Sequence, residues 1–146
     1  MEYRAMCETD VCQIAEIEKM CFHDPWSQVS IASELENPLS YWLVAVDHGQ
    51  VAGYVGSQTV LDGSDMMNIA VRPSFRRQGI AGNLIEKLIA GVKEKGAICL
   101  ALEVRASNTP AIDLYKKFGF QQVGRRPNYY RNPREDALIM RKAWEK

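Results

Sequence analysis

The spacing of apolar residues predicts two helices near the start of the chain. A stripe at helical spacing predicts a helix that is capped by Thr9 or Asp10 and runs to about Met20. The residues of its buried face are Val11, Ile14, Ile17 and Cys21. A second, short helix is predicted from Ser27, a good capping residue, to Leu35.

β-branched and aromatic residues predict strands around and after these helices. Residues 3–7 form a short edge strand. Residues 41–47 and 51–60 are β-rich and are joined by a turn signal at residues 47–50, which is typical of a hairpin. Residues 61–65 are predicted to turn into a strand over residues 66–71.

The second half of the chain alternates between strand and helix. Apolar residues at helical spacing predict a helix over residues 83–95, which Gly96 ends. The apolar run 98–104 is typical of a parallel strand covered on both faces. A helix with Pro110 in its first turn and Gly119 after its end follows, and residues 120–125 and 137–142 form two closing strands. This order predicts a mixed α/β fold in one domain, residues 1–146, with one strand–helix–strand crossover at its centre.

Composition and charge narrow the classes of partner. The chain has 146 residues, of which 47% are hydrophobic and 25% are charged, as is usual for a globular domain. Its formal net charge is zero and its pI is about 6.7, which disfavours direct nucleic-acid binding through a basic surface. No secretory signal pattern is present, and no apolar run approaches the ~20 residues that a membrane span requires. We therefore expect a cytoplasmic protein without a membrane partner.

The cysteines and histidines give no metal-binding pattern. Cys7, Cys12, Cys21 and Cys99 lack Cys-x-x-Cys spacing, and only His23 and His48 could complete a site. We expect reduced thiols, as is usual in the cytoplasm, and no metal.

Residues 68–82 carry the most informative pattern, a strand followed by a proline-turned loop and by glycines that open a helix. Backbone N–H groups and the positive dipole end at a helix N-terminus suit a phosphate, and Arg76 and Arg77 add positive charge. The loop either holds the pyrophosphate of a nucleotide-like cofactor or is a tight turn with solvated arginines. A Walker loop is excluded because Ile80 follows Gly79, and the three spaced glycines of a dinucleotide loop are missing.

Three further residues are candidates for chemistry. Glu103 lies near the C-terminal end of the predicted parallel strand, where ligands gather in α/β folds and where partial burial suits a general base. The alternative is a strand-end glutamate that reaches solvent or pairs with Arg105. Tyr115 is either a core tyrosine or a proton donor, and Asn108 either caps its helix or holds a ligand through its amide.

The segment Arg76-Arg77-Gln78-Gly79-Ile80-Ala81 resembles the Gln/Arg-x-x-Gly-x-Gly/Ala signature of the GNAT superfamily of acyl-CoA-dependent N-acyltransferases. The resemblance implies the GNAT fold, a central mixed twisted sheet flanked by helices, with a splayed parallel strand pair at its centre. It also implies that the loop wraps the pyrophosphate of acetyl-CoA and that the backbone of the preceding strand pairs with the pantetheine arm. The implied cofactor-binding residues are Ile69, Ala70, Val71, Arg76, Arg77, Gln78, Gly79, Ile80, Ala81, Gly82 and Asn108.

Longer segments resemble the RimI-type family of bacterial ribosomal-protein-alanine N-acetyltransferases. They are residues 24–27, 102–108, 111–115, 118–120, 126–130 and 134–140. The resemblance implies that Glu103 is the proton acceptor, that Tyr115 is the proton donor and that a protein N-terminus, that of a ribosomal protein, is the acceptor. Pro127 departs from the family pattern, in which an arginine directly precedes the asparagine.

The acceptor side leaves alternatives open. Tyr129 and Tyr130 either line the acceptor groove, with their rings packed on an extended peptide, or are ordinary strand-edge aromatics. The arginines predicted to form a solvated face are Arg125, Arg126, Arg131 and Arg134. Besides a protein N-terminus, the acceptor could be a small amine such as a polyamine or amino-sugar. A third hypothesis is that the protein is not an enzyme but a GNAT-fold module that senses acyl-CoA without turnover.

Overall fold

The computed structural model describes residues 1–144, in which strands and helices alternate as the apolar spacing predicts. The elements are β1 (Glu2–Ala5), α1 (Val11–Cys21), α2 (Gln28–Glu34), β2 (Ser40–Asp47), β3 (Gln50–Val60), β4 (Gly63–Val71), α3 (Ile80–Glu94), β5 (Cys99–Arg105), α4 (Thr109–Lys117), β6 (Gln121–Tyr130) and β7 (Glu135–Ala143).

One sheet in the order β1-β2-β3-β4-β5-β7-β6 organises these elements. Only β4 and β5 are parallel within the described residues, and α3 connects them. Their pairing covers three register positions and ends at Asp65↔Ala101. Beyond that point β4 continues along β3, and β5 continues along β7. The structure therefore confirms a mixed α/β fold with a splayed parallel pair at its centre.

Helices cover the two faces of the sheet unequally. The larger apolar cluster lies under α3 and α4 and includes Leu84, Leu88, Leu100 and Met140. The second cluster lies under α1 and α2 and draws its strand residues from β2, β3 and β4, without any described residue of β5, β6 or β7. The prediction that β5 is covered on both faces is therefore wrong. Leu100, Leu102 and Val104 are buried, whereas Glu103 faces the uncovered side.

Short-range signals place several helix ends correctly. Ser27 caps α2, because its hydroxyl oxygen accepts a hydrogen bond from the Ser30 N–H at 3.0 Å. Gly96 follows the end of α3 with a left-handed φ of 96°, which a residue without a side chain adopts at low cost. The helix itself begins at Ile80, three residues before the predicted start at Asn83.

Strand ends differ from the prediction where distant partners decide them. β4 begins at Gly63 rather than at Met66, because Gly63 pairs with both β3 and β5. β6 continues to Tyr130 instead of ending at Arg125, and Pro127 lies in a section where the pairing with β7 is irregular. Proline is tolerated there because β6 is an edge strand. Within residues 1–144, no helix is long and apolar enough to cross a membrane.

Candidate functional site

The split between β4 and β5 leaves one backbone edge of β4 without a strand partner. The register shift against β3 pairs Ser57 with Met66 and Gly56 with Asn68, so Met67 is the extra residue of a bulge. Residues 69–71 follow the bulge and remain paired with β3 on one side. In the described part of the chain, no strand pairs with their other side. The N–H and C=O groups of this edge can bind an extended amide-containing chain.

A sharp loop leads from this edge into α3. Arg77 and Gly79 have left-handed φ values of 66° and 75°, and Gly79 is the N-cap of α3. Because Gly79 has no side chain, it offers no capping group to the first-turn N–H groups of α3. Arg76, Arg77 and Gln78 are exposed beside these groups. The loop has the turned backbone, the helix end and the positive charge that suit a phosphate.

Gly82 is buried inside the first part of α3 rather than exposed in the loop. A Cβ atom at this position would lie 2.8 Å from Cζ of Phe118, directly after α4. Packing between α3 and α4 therefore gives a sufficient reason for glycine here. The predicted contact of Gly82 with a cofactor stays a prediction.

Glu103 lies on the uncovered face of β5 and is paired with an arginine. Its side chain is 31% exposed, and its Oε2 atom lies 3.0 Å from Nε of Arg126. The Arg126 guanidinium also lies 5.5 Å from the ring centre of Tyr129. The side chains of Arg126 and Arg125 are 57% and 53% exposed, so both lie on the solvated face that the sequence predicts. Each is also paired with a carboxylate, since Nε of Arg125 lies 2.7 Å from Oδ2 of Asp136.

Tyr130 lies beside Glu103, and Tyr115 lies close to Tyr130; both tyrosines are more buried than Glu103. Tyr130 has the Arg105 guanidinium 4.4 Å from its ring centre, and burial followed by the charge of Glu103 raises the pKa of Tyr130 to about 12. Tyr115 is 6% exposed and packs edge to face on Phe120 with ring centres 5.8 Å apart. Burial, and then the proximity of Tyr130, raises the pKa of Tyr115 to about 12, so its phenol keeps a proton at neutral pH.

Glu135 ties the β6–β7 hairpin to the end of β5. It accepts hydrogen bonds from the Ser107 N–H at 2.5 Å and from Arg105 Nη1 at 3.4 Å. These hydrogen bonds, Ser107 first, hold the pKa of Glu135 below its usual value.

Asp136 holds the irregular section of β6. It accepts from the Asn128 N–H at 2.9 Å, and this bond together with Arg125 lowers its pKa. The hairpin that carries Tyr129 and Tyr130 is thereby fixed beside Glu103.

Asn108 caps α4, as one of its two predicted roles requires. Its Oδ1 accepts a hydrogen bond from the Ala111 N–H at 3.3 Å. The cap uses only the oxygen of the amide, so a ligand contact through Nδ2 is compatible with it.

Glu18, a buried carboxylate on α1, is not among the site residues predicted from the sequence. Glu18 is 1% exposed, and burial raises its pKa to about 7. The available signal was its position four residues after Ile14, which places it on the buried stripe of the helix. Among residues 1–144, no group of three or more His, Cys, Asp or Glu side chains is arranged to hold a metal ion.

Comparisons with known proteins find relatives that cover nearly the whole chain. The ribosomal protein bS18-alanine N-acetyltransferase of Escherichia coli (strain K12) is 41% identical over 90% of this chain and 90% of its own length. A Bacillus subtilis (strain 168) protein that carries the same name provisionally is 45% identical over 94% of this chain and 91% of its own length. The crystal structure of the Escherichia coli ribosomal-protein-S18-alanine N-acetyltransferase matches with a TM-score of 0.91 at 35% identity, covering 99% of this chain and 94% of that chain.

A more distant structure shows how widely the fold is shared. An aminoglycoside 6'-N-acetyltransferase complexed with coenzyme A has a TM-score of 0.83 at 18% identity, over 98% of this chain and 97% of that chain. The sequence profile of the acetyltransferase (GNAT) family matches residues 11–120. With its splayed strands, its loop before α3 and these relatives together, the chain belongs to the GNAT family of acetyltransferases.

Proposed function

We propose that this enzyme transfers the acetyl group of acetyl-CoA to the N-terminal α-amino group of a protein, namely the N-terminal alanine of a ribosomal protein of the bS18 type. The observation that carries this proposal is the similarity to bS18-alanine N-acetyltransferases along about nine tenths of the chain. The position of Glu103 beside the strand split supports it, because a proton acceptor is needed where the thioester would lie.

Acetyl-CoA fits the residues on both sides of the split. The backbone of Ile69, Ala70 and Val71 would pair with the pantetheine arm, and the first-turn N–H groups of α3 would hold the pyrophosphate. The side chains of Arg76, Arg77 and Gln78 lie around that position. N–H groups near the bulge of β4 would polarise the thioester carbonyl.

The reaction is a direct transfer. The amine nitrogen bonds to the carbonyl carbon, the carbon–sulfur bond breaks, Glu103 takes the proton of the amine directly or through water, and Tyr115 gives a proton to the leaving thiolate. Deprotonating an α-amino group at pH 7 costs only about 1 kcal/mol, whereas a lysine ammonium costs about 4–5 kcal/mol. One carboxylate is therefore sufficient for an N-terminal amine.

Tyr129 and Tyr130 form the proposed contact surface for the acceptor. Their rings meet edge to face with centres 5.1 Å apart, at the end of the hairpin next to Glu103. An extended peptide can pack on such a surface, and its N-terminus would then approach the carboxylate.

The experiment combines a peptide panel with two variants. Acetyl-CoA is incubated with peptides that differ in their first residues, with a polyamine and with an aminoglycoside, and products are identified by mass spectrometry. Glu103→Gln should lower kcat about a hundredfold or more while the Kd of acetyl-CoA stays nearly constant. Arg126→Gln is the matched control, because it breaks the same ion pair but keeps the carboxylate.

Acetylation of peptides with N-terminal alanine, but not of the small amines, would support the proposed acceptor. Preferential acetylation of a small amine would replace it with the alternative. Equal losses of kcat in Glu103→Gln and Arg126→Gln would assign the effect to the ion pair and remove the base role of Glu103. Binding of acetyl-CoA without any turnover would favour a sensing module.

A further inference from the structure

Glu18 joins four parts of the molecule through one buried carboxylate. It comes from α1 and accepts a hydrogen bond from the Trp26 N–H, in the loop between α1 and α2, at 2.8 Å. Asn68 Nδ2 on β4 donates to it at 2.6 Å, and the Tyr54 hydroxyl on β3 donates to the same oxygen. The carboxylate thus connects α1, the α1–α2 loop, β3 and β4.

Packing alone does not explain a carboxylate at this position. Its neighbours on the same helix, Ile14 and Ile17, are fully buried apolar residues. An apolar side chain of similar volume would avoid the desolvation of a carboxylate. Unlike an apolar side chain, a carboxylate can accept directional hydrogen bonds, and Glu18 accepts three, from donors on three separate segments.

One of the donors, Asn68, lies where β4 has a strand partner on one side only. Asn68 follows the bulged Met67 and precedes Ile69, the first residue of the proposed pantetheine edge. Since the pairing with β5 has already ended at Asp65, Glu18 holds this part of β4 from the α1 side of the sheet. Asn68 and Glu103 lie on the same face of the sheet, which α1 and α2 cover over β2 to β4 but not over β5.

The α1–α2 loop, residues 22–27, is held at the same place. The Trp26 ring packs edge to face on Trp42 with centres 5.4 Å apart, and Trp42 stacks on Tyr54 at 5.9 Å. Because the Tyr54 hydroxyl bonds to Glu18, the aromatic stack and the carboxylate fix the loop together. The loop stands on the β4 side of the split, and the hairpin with Tyr129 stands on the other side.

We propose that Glu18 is a positioning residue for acetyl transfer, which fixes the α1–α2 loop against the bulge of β4 and so sets one wall of the acceptor groove. This inference rests on the proposed function for its kinetic consequence, although the clamp itself does not. Glu18 acts through Trp26 and Asn68. It is too buried and too fully hydrogen-bonded to act on the substrate itself.

Glu18→Leu tests the clamp, because leucine fills the site but accepts none of the three hydrogen bonds. Glu18→Gln is the conservative variant, since its amide oxygen still accepts from the Trp26 N–H, and the Tyr54 hydroxyl and the Asn68 amide can turn to accept from its NH2 group. Glu34→Leu is the matched control. Glu34 is also a buried carboxylate, on α2, and accepts from Trp42 Nε1 at 3.2 Å and from Gln58 Nε2 at 2.9 Å, but it has no hydrogen bond to β4 or to the loop.

Two measurements are made on the intact protein. Hydrogen exchange followed by mass spectrometry should show faster exchange over residues 22–27 and 66–71 in Glu18→Leu. Glu34→Leu frees the Trp42 indole, which packs on the loop, but should leave the exchange of residues 66–71 unchanged. The KM for the acceptor peptide should rise about tenfold or more in Glu18→Leu, because a small displacement of a positioning wall weakens productive binding. The Kd of acetyl-CoA should rise less than the peptide KM, since α3 and its loop are untouched and only the pantetheine edge of β4 is loosened. Glu18→Gln should restore the peptide KM.

The outcomes separate this inference from the proposed function. Unchanged exchange in both segments, or the same exchange pattern in both leucine variants, would overturn the clamp. A peptide KM unchanged in Glu18→Leu, or raised equally in Glu34→Leu, would overturn the positioning role. If the wild-type protein acetylates no peptide, the proposed function fails, and the exchange measurement still decides whether Glu18 is the clamp.

Discussion

Replacing Glu18 should change how the stability of the protein depends on pH. Burial raises the pKa of Glu18 from 4.5 to about 7 in the folded protein. At about 1.36 kcal/mol per pKa unit, the ionised carboxylate costs about 3 kcal/mol more in the folded than in the unfolded state.

Whether the free energy of unfolding rises or falls with pH depends on which state holds the Glu18 proton. Between about pH 4.5 and 7, the folded protein keeps the Glu18 proton while the unfolded chain has released it, so the free energy of unfolding falls as the pH rises through this window. Glutamine has no such proton. The free energy of unfolding of Glu18→Gln minus that of the wild type should therefore increase by about 3 kcal/mol across the window.

Urea unfolding followed by circular dichroism at several pH values measures this difference. Glu18→Leu serves as the control, because it also lacks the proton. Its curve should run parallel to that of Glu18→Gln, with a constant offset for the hydrogen bonds it loses. A difference that does not vary with pH would refute the reasoning, since it would mean that the three donors fully compensate the burial of the charge.

Two further substitutions test the cofactor loop and the proton donor. Gly79→Val should raise the Kd of acetyl-CoA sharply. Gly96→Val is the control, because Gly96 also has a left-handed φ and open space around its Cβ; each variant should cost ~1–2 kcal/mol of stability, but Gly96→Val should leave the Kd unchanged. Equal Kd values in the two variants would mean that the phosphate loop is misplaced. Tyr115→Phe should lower kcat at least about tenfold without unfolding the domain. Tyr130→Phe serves as the comparison, because it removes the phenolic hydroxyl of the neighbouring tyrosine instead. Full activity in Tyr115→Phe would make that tyrosine a core residue only.

Features set by neighbouring residues could be predicted from the sequence. Ser27 and Asn108 each cap a helix through the N–H of a residue three positions later, a contact that the local pattern contains. The left-handed turn at Gly79 follows from glycine placed before an amphipathic run. The order of strands and helices followed for the same reason.

Features set by distant residues could not be predicted. The ion pair of Glu103 with Arg126 joins β5 and β6, which β7 separates in the sheet. Alternation along β5 also says nothing about a helix that is missing on one face. Glu18 acquires its hydrogen bonds from residues as much as fifty positions away, such as Asn68. Local polarity suggests solvent for such a residue, and only the assembled sheet supplies its donors.

The short parallel contact between β4 and β5 has a consequence for the whole molecule. Three register pairs and the crossover helix connect one half of the sheet, β1 to β4, with the other, β5 to β7. A molecule that lies in the gap touches both halves at once, so its binding free energy adds to the cohesion between them. With acetyl-CoA bound there as proposed, the free energy of unfolding of this enzyme should rise with the concentration of its acyl donor.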